Sequence, residues 1–363
     1  MTILFRYLLR EYAKIFGMCF AGLMTIYLVI DFFEKVRRFL RYDASWLDVL
    51  GYFALKVPAI SYQIAPLAIL MATLLTLGLL SRSHEITAMR SCGISLPRIT
   101  SPFLTLAIGL AMVLLLFSST VIPLASNKAE EIRAIRIEKK PPSTALKLPQ
   151  PWARMGADTI LQVKSVAVGG GSLSGIRLFH FDPQFRLIDM TEAQEARYVD
   201  HAWTLHQGFR RIFQPDGTIV LQPFEHMPVP LTLIPEDFTT WLASDSESMT
   251  FRDIREHITR LYHSGSQTTR LKTDYYGRIA FPFVTIIMVL VGIALSLRRS
   301  GTRGGSMAIG IGQALVIGFL YWTTHSISIA FGRGGAIPPI VAGWLTNALF
   351  LSYGLYLMLK VRY

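Results

Sequence analysis

The sequence predicts a membrane α-helical bundle of six transmembrane helices, with a β-rich, jelly-roll-like domain inserted between the third and the fourth. Three observations predict it. The 363-residue chain is 52% hydrophobic and only 17% charged, with a mean hydropathy of +0.41, too apolar for an ordinary soluble protein. Its apolar residues are gathered into runs near the roughly 20 residues that cross a bilayer. Between the third and fourth runs the pattern changes to short alternating segments broken by Gly, Pro and Asp.

The runs fall at 15–33, 52–80, 99–124, 279–297, 306–331 and 337–359. Pro58 and Pro66 lie inside the second, where neighbouring helices can satisfy the freed carbonyls, and they predict a bend there. Glycines recur, with Gly78, Gly109 and Gly292 in three runs and Gly304, Gly305, Gly310, Gly312 and Gly318 around the fifth. Small residues let helices approach closely, within a bundle or at a subunit interface. The segment Met1–Lys14 carries Arg6, Arg10 and Lys14 with no small-residue cleavage site after it, and reads as a retained flank of the first helix.

Basic residues orient the bundle. Arg6, Arg10, Lys14, Arg82, Arg90, Arg98, Arg298, Arg299, Arg303, Lys360 and Arg362 share one side, which the positive-inside rule makes cytoplasmic, with both termini. The loop 34–51, the turn 332–336 and the insert then face outward. This topology also accounts for the net charge of +12 without nucleic acid as a partner. One loop dissents: Lys35, Arg37, Arg38 and Arg41 lie on the outer side, where Arg133 and Arg136 join them after the third run. Such a cluster suits phosphate or carboxylate head groups, or serves as generic snorkelling cations.

The chain divides at residues 1–125, 126–276 and 277–363. In the insert, 159–168, 173–181, 187–196, 201–211 and 218–224 read as strands with partial period-two alternation, separated by turns at 169–171, 182–183 and 215–217. Residues 251–264 form an amphipathic helix returning to the membrane.

Chemistry-bearing motifs are few. There is no G-x-x-x-x-G-K-[ST], and GTRGG at 301–305 lacks the lysine that reaches phosphates, so it reads as a turn and any ATP must be bound by another subunit. No H-E-x-x-H occurs, His201, His206 and His226 show no ligand spacing, and Cys19 and Cys92 make no framework. No cofactor is expected. His325, beside Thr323, Thr324, Ser326 and Ser328 in the fifth run, reads as a hydrogen-bonded bundle contact more than a proton site. The polar segment 82–92, RSHEITAMRSC, predicts a short cytoplasmic helix with Gly93 as its C-cap. Ile86 and Met89 share a face, with Arg82, Glu85 and Arg90 around them. It is equally an ordinary loop helix or one that docks in a partner's groove.

These segments together resemble the LptF/LptG family, the permease subunits of the lipopolysaccharide export ABC transporter, over essentially the whole length. SRSHEITAMRSCGIS (81–95) resembles the family's coupling helix, with Glu85, Met89 and Gly93 at its characteristic positions. GRIAFPF (277–283), IPPIVAGWLTNALF (337–350), LSGIRLFHFD (173–182) and EARYVDHAWTLHQG (195–208) resemble its later helices and its strands. DFFEKVRRFLR (31–41) is more similar to the LptG branch than to the LptF branch, although Asp31 departs from a purely cationic site and can pair with Lys35 at i+4.

The resemblance implies a non-enzymatic inner-membrane transport subunit whose β-domain is periplasmic. Its implied partners are a paralogous LptF-type permease, an LptB-type cytoplasmic ATPase dimer and an LptC-type single-span bridge protein. Lipopolysaccharide phosphates would meet Lys35, Arg37, Arg38, Arg41, Arg133 and Arg136. Arg82, Glu85, Met89, Arg90 and Gly93 would couple to the ATPase. A non-transport membrane subunit transmitting ATPase motion is the other reading, and typically has four spans.

Overall fold

The structure is a computed structural model and describes residues 2–138, 152–155, 158–166, 171–199, 202–214, 217–229, 249–263, 268–299 and 307–360. The turn expected at 301–305 and most of those at 169–171 and 215–217 lie outside these residues, as do His201 and Arg303. The chain forms two compact units, residues 1–133 with 269–363, and residues 134–268.

Among its described residues, the first unit holds six helices long and apolar enough to cross a membrane. They are α1 (Thr2–Arg41), α2 (Trp46–Arg82), α4 (Leu96–Leu116) with its continuation, α7 (Thr269–Ala280) running on into α8 (Val284–Arg299), α9 (Met307–Arg333) and α10 (Pro339–Leu359). A short α3 (Glu85–Ser91) follows α2. After α4, a π-helical turn (Phe117–Val121) leads into α5 (Ile122–Glu131) and a second π turn (Ile132–Ile137).

Several helices outrun their apolar segments. The expected 34–51 loop shrinks to four residues, because α1 continues to Arg41 and α2 begins at Trp46. Asp43, at φ 46°, closes that turn by donating its N–H to Leu40 O, while Phe39 is buried against Tyr52. A charged helix end needs only water and packing on one face, so hydropathy stops short of it.

α2 runs unbroken through Pro58 and Pro66, and 67% of its most apolar stretch is buried, against 11% for α1. Close approach makes this possible. A Cβ on Gly292 of α8 would lie 2.9 Å from Thr73 Cγ2, and one on Gly318 of α9 would lie 2.7 Å from Leu67 Cδ1. Gly78, Gly109 and Gly312 meet nothing within 4 Å, so their role is not internal packing.

Several polar groups inside the bundle are paired. Tyr12 Oη lies 2.9 Å from Thr73 Oγ1. Tyr321 donates to Asn347 Oδ1 at 2.9 Å, and Asn347 Nδ2 donates to Ala280 O at 2.7 Å. Arg333 reaches the buried Asp274 at 2.6 Å. His325 is different. Thr323, Thr324 and Ser328 spend their hydroxyls on backbone carbonyls. The imidazole packs among Phe281, Tyr321 and Trp322, and its Nδ1 has no hydrogen-bond partner among the described residues. The expected hydrogen-bonded contact is therefore an aromatic one.

The second unit contains an antiparallel sheet of six strands in sequential order: β1 (Trp152–Met155), β2 (Thr159–Val166), β3 (Ser172–Phe181), β4 (Leu187–Val199), β5 (Ala202–Phe213) and β6 (Ile219–Val229). β1, only four residues long, is absent from the strands expected from the sequence. Asp182 caps the β3–β4 turn, accepting hydrogen bonds from Arg186 N at 2.7 Å and Nε at 2.8 Å. The backbone N–H bond, above all, holds its carboxyl below the usual range. The expected helix at 251–264 is present as α6 (Phe251–His263).

Leu161, Val163, Ile176, Leu178, Trp203 and Leu205 form the apolar face of the sheet. The alternation is only partial because one row breaks it. Lys164, Gly175, Gln194, Gln207 and Glu225 fall in line across β2–β6 and drop out of the pairing register. Gly175 and Gln207 in that row have φ of 62° and 49°. The buried positions of β3 accordingly shift from Leu173 to Ile176. Glycine is required at 175, since a Cβ would combine the left-handed backbone with a 2.7 Å approach to Lys164 Cβ.

Gly292→Val should cost about 1–3 kcal/mol by overpacking, seen as a lower unfolding temperature in detergent, whereas Gly78→Val should change it little. Asn347→Leu strands Tyr321 Oη and Ala280 O, at a cost of about 1–2 kcal/mol, and a double-mutant cycle with Tyr321→Phe should show strong coupling.

Candidate functional site

Two polar constellations lie at opposite ends of the bundle. The first gathers where α1 ends, α2 begins and α5 leads out of the unit. Four residues apart on α1, Lys35 and Asp31 face the same way and form an ion pair. Lys56 of α2 approaches the other carboxylate oxygen of Asp31, Nζ to Oδ2 3.9 Å. Both lysines also lie over the ring of Tyr52, 5.9 Å from its centroid for Lys35 and 5.3 Å for Lys56. At the end of α5, Glu130 and Arg133 pair with each other within electrostatic reach of Tyr52.

Of the expected cations, the structure therefore sets Lys35 over the ring of Tyr52 and Arg133 within electrostatic reach of it. Arg37, Arg38 and Arg41 are exposed on the last turns of α1, where cations also oppose the helix dipole. Arg136 is exposed on the second π turn, within the other unit. Lys56 escaped the sequence reading because it sits inside an apolar run. An ionisable residue so placed is itself the signal that could have found it.

An apolar groove of about 260 Å³ adjoins this cluster, lined by Leu28, Val29, Phe32, Phe33, Trp46 and Phe53 among others. A chain of rings ties the two: Phe32 to Phe53 at 5.8 Å, and Phe53 to Tyr52 at 5.4 Å. Cations thus stand beside an open hydrocarbon-lined surface, an arrangement suited to an anionic amphiphile.

The second constellation is α3. The predicted helix at 82–92 begins later: Arg82 is the last residue of α2, because His84 adopts a left-handed conformation (φ 59°) that separates the two helices. Gly93, at φ 79°, ends α3, with Ile94 N–H donating to Met89 O at 3.1 Å and Gly93 N–H to Arg90 O at 2.9 Å. Ile86 is 7% exposed and Met89 packs on the bundle core, so the apolar face points inward. Ile86 and Met89 thus serve the bundle's own packing, and Thr87, Ala88, Arg90 and Ser91 are the exposed residues of α3. Glu85 accepts hydrogen bonds from Tyr7 Oη at 3.0 Å and Ser83 Oγ at 2.8 Å, tying α3 to α1.

Elsewhere, β5 and β6 bring His206 and His226 together, Nδ1 to Nδ1 2.9 Å, a pairing that sequence spacing did not disclose. Among the described residues no group of three or more His, Cys, Asp or Glu is placed to hold a metal ion. Cys19 and Cys92 are free thiols.

Comparison with known proteins bears on both constellations. The chain matches the family described as lipopolysaccharide export system permease LptF/LptG over residues 6–360. It is 25% identical over 363 residues to lipopolysaccharide export system permease protein LptG of Haemophilus influenzae, covering 96% of this chain and 97% of the relative. Against LptG of Escherichia coli K12 the identity is 23%, covering 99% and 98%. Against LptF of the same organism it is 24%, covering 98% and 94%. The two branches are nearly equally similar, and the match leaves out only the extreme ends of the sequence. This six-helix membrane protein with its inserted β-sheet unit belongs to the LptF/LptG family of lipopolysaccharide export system permeases.

Proposed function

We propose that the chain is the LptG-type permease subunit of an ABC transporter that extracts lipopolysaccharide from the outer leaflet of the inner membrane. The observation that carries this reading is the placing of Lys35 over Tyr52, with Arg133 within electrostatic reach of that ring, beside an open apolar groove in a chain of the export permease family. Phosphates engage the cations, with Arg37, Arg38 and Arg41 extending the basic surface at the end of α1. Acyl chains lie against Phe32, Phe33 and the other groove residues. The sparsely buried α1 is the face left for a paralogous LptF-type permease and for the membrane helix of an LptC-type bridge protein. The basic end of α1 favours LptG over LptF; the LptF-type role in the same complex is the second reading, favoured by the near-equal identities.

The distribution of basic residues supports cytoplasmic termini and a periplasmic β-unit. α3 then faces the cytoplasm, where an LptB-type ATPase dimer binds ATP and supplies the energy. Arg90 and the exposed arginine at the end of α2, Arg82, provide its polar contacts. Glu85 is held by Tyr7, and Ile86 and Met89 anchor the helix to the bundle, so a push on α3 is delivered to α1 and α2. Gly93 lets the chain reverse into α4. The β-unit receives the lipid and hands it to the periplasmic bridge. Six spans set the chain apart from four-span subunits that only transmit motion.

Expressed with its partners, the chain should co-purify with an ATPase whose hydrolysis rises when lipopolysaccharide is added; an intact bundle that never retains an ATPase would overturn the assignment. Reversing charge at Arg37, Arg38 and Arg133 together should reduce photocrosslinking to lipopolysaccharide by about tenfold or more, several charge-assisted contacts being lost. Arg90→Glu should weaken ATPase co-purification by about tenfold, the scale of one interfacial charge, while Tyr7→Phe, which touches only the internal Glu85 contact, should leave assembly intact.

A further inference from the structure

We infer that Lys56 is an additional lipid-phosphate ligand and that Asp31 is a built-in competitor, holding both lysines when substrate is absent and reclaiming them when it leaves. This rests on the reading that phosphates bind at this end of the bundle, and extends it to two residues which that reading leaves without a role.

The argument begins with Asp31. It is only 8% exposed, and its two carboxylate oxygens are treated unequally. Oδ1 takes Lys35, whereas Oδ2 is buried and accepts no hydrogen bond among the described residues. A buried, ionised oxygen left without a donor is costly, so the site is incompletely satisfied as it stands. The nearest cation to Oδ2 is Lys56 Nζ, at 3.9 Å beyond hydrogen-bond range.

Lys56 is suspended between alternatives. Its side chain is 33% exposed, it touches the face of Tyr52, and it stops short of Asp31. A lysine has three donors on a flexible four-carbon stem, and neither neighbour saturates them. Small torsional changes would bring Nζ onto Oδ2 or outward, toward a ligand.

Charge then decides which partner holds it. Lys35, Lys56 and Arg133 contribute +3, and Asp31 and Glu130 contribute −2, leaving a net charge of +1 in the cluster. A phosphate monoester carries about −1.5 to −2 at neutral pH and offers three acceptor oxygens, outbidding a single carboxylate for both ammonium groups. Once the lipid departs, Asp31, the one acid among the described residues within ion-pair distance of both lysines, takes them back. A transporter that must release what it grips gains from such a competitor, because binding is weakened most where unbinding would be slowest.

The test uses the full permease–ATPase complex in detergent. The probes are lipid A carrying two phosphates and the same lipid A stripped of them. Lys56→Gln should lower affinity for the diphosphorylated lipid about three- to tenfold, the size of one partly buried charge contact, with little effect on the stripped lipid. The near-isosteric Asp31→Asn should move affinity the opposite way, tightening phosphorylated-lipid binding while lowering lipid exported per ATP hydrolysed. Asp31→Glu keeps the charge and should resemble the unmodified protein, which guards against a folding defect in the asparagine variant. The inference fails if Lys56→Gln binds normally, or if Asp31→Asn loses affinity alongside it, which would make Asp31 a positioning residue and not a competitor. Loss of the underlying reading looks different: phosphate removal would then leave wild-type binding unchanged.

Discussion

The burial of α2 is the constraint on which the rest of the molecule depends. Within hydrocarbon a segment must satisfy its own backbone polar groups, so a span is helical from the outset. Surrounding that helix on most sides demands something further, because lipid is as apolar as leucine and gives helices no hydrophobic reason to associate. Contact area and a few polar bonds supply the reason. Gly292 and Gly318 bring α8 and α9 against α2, and Tyr12 ties α1 to it through Thr73. Without those close approaches α8 and α9 could not both lie against α2.

That central helix also joins the two polar ends. Tyr52 and Lys56 lie near its start, and Arg82 forms its last residue before the His84 break leads into α3. Thirty-seven residues of helix span about 55 Å, so one continuous element reaches from the cation cluster to the proposed ATPase contact. α1 runs alongside and is fastened at both ends, by Tyr7 to Glu85 and by Asp31 and Lys35 to the neighbourhood of Lys56. Motion imposed on α3 therefore meets a paired strut, α1 with α2, and not an isolated loop. Under the proposed function this pairing is what would convert nucleotide-driven movement into a change at the lipid phosphates.

The β-unit solves a different problem. A regular sheet would keep one set of side chains on its apolar face along the whole length of each strand. The row through Gly175, Gln194 and Gln207 interrupts that regularity, and two left-handed residues in it let neighbouring strands change phase together. The apolar face stays continuous across the break because the pairing register is the same on both sides of it and the strands share the break at one level. Partial alternation in the sequence is thus the trace of an ordered break in the sheet and not of weak strand character.

The sequence by itself determined what depends on composition along a short window. Six apolar runs, five of the six strands, the glycine end of α3 and the Asp31–Lys35 pair could all be read there, since each follows from local hydropathy, turn chemistry or spacing within one helix. Lys35 and Arg133 were legible as cations at a membrane edge. Only the tertiary structure decided which cations meet: Lys56 joins Lys35 because α1 and α2 bring both over the ring of Tyr52, while Arg37 and Arg41 stay exposed on the same α1. It also turned Ile86 and Met89 inward, and surrounded His325 with rings where hydroxyls were expected. The physical reason is common to these cases. Periodicity tells which residues share a face, but whether that face meets lipid, a partner or its own bundle is set by neighbours dozens to hundreds of residues away.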